Sequence, residues 1–442
     1  MTTATETQIE NYLRQYGEFE KKAKAPEWLR AIRREAMEAF AELGFPTLRH
    51  EDWKYTNVAA IKREEFEPVS SEAGEEHISA IRRRIQALTS ELDGPRVVFV
   101  NGRYAAELTD VRGSGARIGT LGEALEKRPE AIEPYLARSA DYRAHPFVAL
   151  NTAFIGDGAW IEIPERTVVE KPIAVIHVAW PEGKPAAVYP RNLIVARRES
   201  QATVVEIYVG AEVPNYFTNA VTEAVAEENA VLEHVKAQLE SERAFHIATA
   251  TFHQARNSIV RSTTVTLGAA LAREEPACVL DGEGGEATLN GLYVLAGTQH
   301  ADSHTTLDHA KAHCGSREVY KGILEGKSTG VFNGKIIVRP DAQKTDSKQS
   351  NKNLLLSPDA TINTKPQLEI WADDVKCTHG ATIGQMDAEA LFYMRSRGIG
   401  RKEARNLLVA AFANDVLDRI NDAPLRESLK RHISARLAGK GD

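Results

Sequence analysis

Residues 334–384 read GKIIVRPDAQKTDSKQSNKNLLLSPDATINTKPQLEIWADDVKCTHGATIG. A strand-like run from Lys335 to Arg339 leads into a polar segment of Lys, Gln, Ser and Asn, and short apolar runs return at Leu354–Leu356 and Leu368–Trp371. The stretch closes on Cys377-Thr378-His379-Gly380, a thiol and an imidazole two residues apart. Residues i and i+2 of a strand share a face, so Cys377 and His379 would point the same way. A lone Cys in a strand is most often a small buried hydrophobe. An imidazole on the same face raises metal or thiolate chemistry, because both groups ligate iron and zinc. The residues alone leave both readings open.

The same texture extends back to Pro146. Short runs such as Ala174–Ala179, Leu193–Ala196, Ala202–Val209, Ala230–Val235, Ile259–Leu267 and Leu292–Leu295 are separated by Gly, Asn, Asp and Pro, with no convincing helix among them. Val205, Ile207 and Val209 would share one strand face with Glu206 on the other, and Ser262–Leu267 has the Thr/Val content of strands. A β-sandwich or barrel is one reading. The series is very long for one sandwich and hairpin turns are scarce, whereas a right-handed parallel β-helix stacks short strands without limit. No fixed-length repeat decides between them.

Helical patterns flank this region. Trp28, Leu29, Ile32, Ala36, Phe40 and Leu43 fall at helical spacing between Pro26 and Gly44, after an expected helix around Glu6–Tyr16. Arg49–Thr56, polar but carrying Trp53 and Tyr55, reads as a docked loop. Ile78, Ile81, Ile85 and Leu88 give a further helix, and Val97–Val100 before Asn101-Gly102 a strand and turn. From Asp387 the helical pattern returns: Ala404, Leu407, Leu408, Ala411, Phe412, Val416 and Ile420 form one stripe. Leu425, Leu429, Ile433 and Leu437 form another. The expected organisation is a mainly helical domain over 1–145, a β core over 146–385 and a helical domain over 386–442, whose exposed apolar face would serve for docking.

With 55 basic against 62 acidic residues the net charge is −7, which argues against nucleic-acid binding as the main business. The first thirty residues carry Glu6, Glu10, Glu18 and Glu20 and read as neither signal nor transit peptide. No window approaches eighteen uninterrupted apolar residues, so a cytoplasmic protein with no membrane partner is expected. The three cysteines, Cys278, Cys314 and Cys377, are far apart and speak for reduced thiols. They cannot supply a four-cysteine cluster or zinc site, so such a metal would be shared with a partner.

Two further motifs are weighed. Gly322 to Ser328 resembles a P-loop, but three residues rather than four separate Gly322 from Gly326, and no helix follows. Turn glycines between strands explain it better. His300, Asp302, His304, Asp308, His309, His313 and Cys314 invite a metal site, and a cupin-like metalloenzyme built on them, or a β-helix enzyme acting on polysaccharide, is the competing function. Their spacing is irregular, strand alternation puts His300, Asp302 and His304 on one face, and a polar ladder is favoured.

Several segments together carry a family. Lys344-Thr345-Asp346, Gln349–Leu356, Lys365–Ile370, Asp373–Thr382 and Leu391–Ile399 closely resemble the SufB/SufD family of Fe–S cluster assembly scaffolds, as do Trp53–Thr56, Val98–Gly102 and Ala149–Ala153. Thr378-His379-Gly380, where SufB-like chains read Glu-His-Glu, and the scarcity of Cys favour the SufD branch. The resemblance implies a non-enzymatic scaffold: a helical N-terminal domain, a right-handed parallel β-helix, and a C-terminal helical domain that binds the ABC-type ATPase SufC. It implies pairing with SufB through the β-helices, and a role in iron acquisition and cluster building. The isolated chain would hold no stable cofactor; iron or a nascent Fe–S cluster belongs to the complex, and a reduced flavin is linked with it. His379 is carried over as a ligand at the SufB–SufD interface, with Cys377 in the same motif either ligand or structural. A homodimer through the same face is expected when SufB is absent.

Overall fold

The computed structural model describes residues 4–64, 66–69, 74–89, 92–212 and 215–439. Their strands form two sheets, one of eleven and one of ten, and from Arg191–Ala196 to Lys376–Gln385 successive strands fall alternately in the first and the second. Each long strand therefore pairs in parallel with the strand one full turn before it and one full turn after it. The result is a parallel β-solenoid of about 7 turns, flanked by helices, and the sandwich and barrel readings fall.

One turn is not a constant number of residues. Phe245 pairs with Leu271, 26 residues on, whereas Thr329 pairs with Thr361, 32 residues on. A repeat does exist, in the backbone at one corner. Arg166, Glu199, Asn229, Asn257, Gly284, His313 and Lys344 occupy successive turns with φ between 54° and 71°. The N–H of each donates to the carbonyl just before the next corner, from Arg166 to Arg198 O at 3.0 Å through Lys344 to Asp374 O at 2.7 Å. This spine satisfies corner amides that would otherwise be unpaired.

The lumen changes character along its length. In the early turns it holds charge: Glu206 faces His234 at 3.3 Å, Lys236 meets Glu274 at 2.5 Å, and His246 lies 2.6 Å from Glu240. These side chains are almost fully buried. Buried ions persist only when paired and hydrogen-bonded, and here Thr222 and Tyr208 also donate to Glu206, at 2.6 and 2.8 Å. Towards the C-terminal end the lumen holds neutral amides and hydroxyls, among them Ser316, Ser347, Asn351 and Asn353.

Helices Ala4–Lys22 and Glu27–Leu43 agree with the periodic patterns, the second ending at Gly44 with φ 63°. They pack on the eleven-stranded sheet through Tyr12, Leu29 and Phe40, with Trp53 of the following loop in the same cluster. Helix Pro146–Ala153 departs from expectation: it lies within the stretch read as free of helix. All its residues after Pro146 are buried, so it shows no amphipathic period to detect. Strand Arg96–Val100 joins the ten-stranded sheet beside Ile173–Ala179.

The C-terminal helices Ala388–Ser396, Arg401–Leu417 and Ala423–Gly439 also differ from expectation. Much of the stripe read as a docking face is turned inward: Val416, Ile420, Leu425, Leu429 and Ile433 are buried in one cluster with Ile81, Val235, Val265 and Leu292. Lys321 pins Arg401–Leu417 to the solenoid, bonding Asp415 at 2.7 Å and standing 4.3 Å over the Phe412 ring. Phe392 (72% exposed), Tyr393 (59%) and Leu407 (48%) remain outside. Among the described residues no helix is long and apolar enough to cross a membrane.

The charged lumen sets a pH optimum for stability. Burial and Lys236 lower the His246 pKa, but Glu240 and Glu274 more than reverse this, leaving it above its ordinary 6.5. Its contribution is complete below pH 6.5 and is lost as pH rises through the raised value. Burial pushes Glu206 up, yet His234 and Thr222 hold it well below its ordinary 4.5, so its contribution is lost as pH falls below that range. Burial also holds His177 and His309 down to about 4, so charging them adds to the acid loss below about pH 6.5, and the thermal midpoint is expected to peak near pH 6.5 and to decline on both sides. In His246→Gln the protein loses about 3–5 kcal/mol at the optimum and the alkaline decline flattens; calorimetry across the pH range checks both.

Candidate functional site

The two last strands, Thr361–Ile370 and Lys376–Gln385, are the ends of their sheets. Among the described residues each is paired on one side only, and the solenoid is open there. Lys376 N donates back to Thr345 O at 2.8 Å. In a parallel ladder alternate residues turn both backbone groups to the same neighbour, so Cys377, His379, Ala381, Ile383 and Gln385 turn theirs to the free edge. In the other end strand Thr361 and Trp371 donate back, to Ser328 O at 3.0 Å and Val338 O at 2.9 Å. Its edge-facing positions are therefore Ile362, Thr364, Pro366, Leu368 and Ile370, and Pro366 removes the central donor. One edge offers an unbroken ladder and the other an interrupted one.

The side chains of Cys377 and His379 share one face, as alternation requires, and it is the lumen face. Cys377 stands over Ser347 and His379 over Gln349, both buried. Cys377 packs partly against the lumen core, while His379, with no further turn above it, is exposed. Burial raises the Cys377 thiol pKa, the Ser347 backbone N–H lowers it in part, and Asp346 raises it. Among the described residues no group of three or more His, Cys, Asp or Glu converges on a metal position. The pair thus brings two donors to the open end.

The His300–Cys314 cluster does not assemble. His300, Asp302 and His304 line the outer face of strand His300–His309, where Thr56 bonds both His300 Nε2 (2.9 Å) and Asp302 Oδ2 (2.5 Å). Arg273 joins Asp302 at 2.5 Å and stacks 3.8 Å over Trp53. This is what holds the 51–56 loop, read correctly as docked. His309 and Cys314 face the lumen side, His309 bonding Ser316 at 2.9 Å and Cys314 packing in the core. Asp308 pairs with Arg339 at the surface and His313 sits at a corner. The metalloenzyme alternative loses its site. Gly322 to Ser328 spans the end of strand Gly315–Leu324, a turn at Gly326 (φ 71°) and the residues before Thr329–Val338, so it is no phosphate loop.

A cavity of about 610 Å³ lies between the N-terminal segment and the outer face of the eleven-stranded sheet, lined by His50, Trp53, His145, Glu275, His304 and Lys335 among others. It is remote in sequence from Cys377 and His379, and neither lines it.

Sequence reasoning missed the buried residues beneath the pair. Gln349 Nε2 donates to Glu318 at 2.7 Å, and Thr305 donates to the other oxygen of that carboxyl. Glu318 is fully buried, and burial lifts its pKa to about 7 although Thr305 and Gln349 pull it down. A signal was present: Ser347, Gln349, Asn351 and Asn353 are buried at every second position, while Lys348 and Lys352 between them are exposed.

This geometry meets its relatives directly. A family model described as the SufBD core domain of SUF system FeS cluster assembly matches residues 179–412, and the SufBD protein N-terminal region matches 6–175. The chain belongs to the SufB/SufD family. It is 34% identical over 400 residues to the iron-sulfur cluster assembly protein SufD of Escherichia coli, covering 90% of each chain. It is 34% identical over 415 residues to a SufBD family protein of Synechocystis, covering 91% of this chain and 90% of that one. The SufD of Bacillus subtilis is 24% identical over 98% of both chains. Among the relatives the identity to SufD supports that branch over SufB.

The three thiols should react in order of exposure. Cys278 and Cys314 are buried and Cys377 half-buried, so iodoacetamide is expected to label Cys377 first in the native protein. Because burial holds that thiol above its ordinary 9.0, labelling should be slow at neutral pH and accelerate above it. Peptide mass spectrometry reads the order, and comparable early labelling of Cys314 would contradict it.

Proposed function

We propose that this chain is a scaffold subunit of the SUF machinery that pairs with SufB through the open end of the solenoid and receives the ATPase SufC on its C-terminal helices, acting in the cytoplasm and without catalysis of its own. The observation that carries the reading is the open end itself: an unbroken edge of backbone donors and acceptors beside a thiol and an imidazole that number two. A metal held there needs ligands from a second chain, and an unpaired strand edge is a template for such a chain. Iron, or a nascent cluster, is cargo at this junction rather than a resident group. His379, with Cys377 beside it, is the donor this chain contributes. The exposed Phe392, Tyr393 and Leu407 give the C-terminal helices an apolar patch for the ATPase.

Ala381→Pro tests the edge. Its N–H faces away from the neighbouring strand, so proline there spares the intramolecular ladder and deletes one intermolecular donor. The variant is expected to fold with an unchanged melting curve and to retain at least about tenfold less co-expressed SufB, the loss expected from an unpaired interface acceptor. SufC retention should be unaffected. His379→Ala should retain both partners yet lower the iron content of the reconstituted complex. Undiminished SufB capture by Ala381→Pro removes the edge from the reading, and undiminished iron removes His379.

A further inference from the structure

Gln349 lies one rung beneath His379, with 4% of its surface exposed. One end of its amide is accounted for, since Nε2 donates to Glu318 at 2.7 Å. Above about pH 7 Glu318 is a carboxylate that accepts hydrogen bonds and does not donate them, so the nitrogen is the end turned to it and the oxygen is left over. That oxygen is buried and, among the described residues, accepts no hydrogen bond. An acceptor left so is destabilising, because it has lost its water without gaining a donor. Neighbouring lumen amides do better: Asn353 Nδ2 reaches Asn351 Oδ1 at 2.6 Å and Asn351 Nδ2 reaches Tyr320 O at 3.3 Å. The place of the Gln349 amide is also reserved sterically. Gly334, on the facing sheet, has no Cβ; one built there would overlap Nε2 and stand 2.9 Å from Cδ of Gln349.

Rungs of a parallel sheet are about 4.8 Å apart, which puts His379 on the rung next to this orphan acceptor. A neutral imidazole carries one N–H and one lone pair. We propose that Gln349 is the positioning residue of His379: its Oε1 accepts the ring N–H, selects one tautomer, and leaves the other nitrogen unprotonated and turned to the open end. A histidine that ligates a metal is commonly fixed in this way by an acceptor on its second nitrogen. The use of the fixed tautomer rests on His379 being a ligand, whereas the hydrogen bond itself stands independently.

Long-range ¹H–¹⁵N spectra of the full chain with ¹⁵N-histidine read the tautomer without any metal, His379 being assigned by the signals lost in His379→Ala. At a pH where the ring is neutral, the wild type is expected to show two well-separated ring-nitrogen shifts. Gln349→Met should bring them together toward the averaged values of an unconstrained ring, and Gln349→Glu, which keeps an acceptor, should hold them apart. Gly334→Ala should collapse the pattern by displacing the amide. Averaged shifts already present in the wild type, or separated shifts that survive in Gln349→Met, overturn the proposal. Because no iron is added, this outcome is distinct from the iron content of the His379→Ala complex.

Discussion

Stacking in register is the constraint on which this molecule depends. Every residue of a long strand stands over the residue one turn earlier and under the residue one turn later, so a side chain's surroundings are set by its column. A polar group in the lumen is satisfied along that column or across to the other sheet, as in Glu318 to Gln349 and Ser316 to Ser347. The same constraint leaves the final rung with no upper neighbour. Its backbone groups and lumen side chains are therefore the place where the chain's own hydrogen bonding is incomplete.

The strands were legible because short apolar runs recur between Gly, Asn, Asp and Pro and some of them alternate, as Val205, Ile207 and Val209 do against Glu206, and the first and last helices because their stripes recur at three and four residues. The repeat was not legible. Turn length varies, and the one position that recurs in every turn is defined by a positive φ that Arg, Glu, Asn, Gly, His and Lys all adopt here. Backbone conformation of that kind leaves little mark on composition. Helix Pro146–Ala153 was hidden for a complementary reason: burial on all sides removes the polar face that makes a helix periodic.

At the site, the i, i+2 relation of Cys377 and His379 could be read directly, since it depends only on local geometry. Glu318 and Gln349 could not be placed beneath His379 without the pairing of three strands, since each step down the column crosses some thirty residues of chain. The opposite error arose with His300 to Cys314. Residues close in sequence were divided between two faces and a corner, and the loop around Trp53 took the outer ones into a structural junction centred on Arg273.

An edge that is exposed in the free chain and covered in an assembly must meet two demands. Large apolar residues along it would invite indiscriminate strand addition, and fixed charges would resist desolvation on pairing. The final strand, KCTHGATIGQ, is built mainly from small and uncharged residues, with neutral amides and hydroxyls in the turn beneath. Its neighbour at the end of the other sheet has Pro366 at the centre of the free edge, which breaks any continuous ladder there. The two edges at one end of the solenoid are thus unequal, so a partner strand finds full pairing along only one of them. That strand is the one that carries Cys377 and His379.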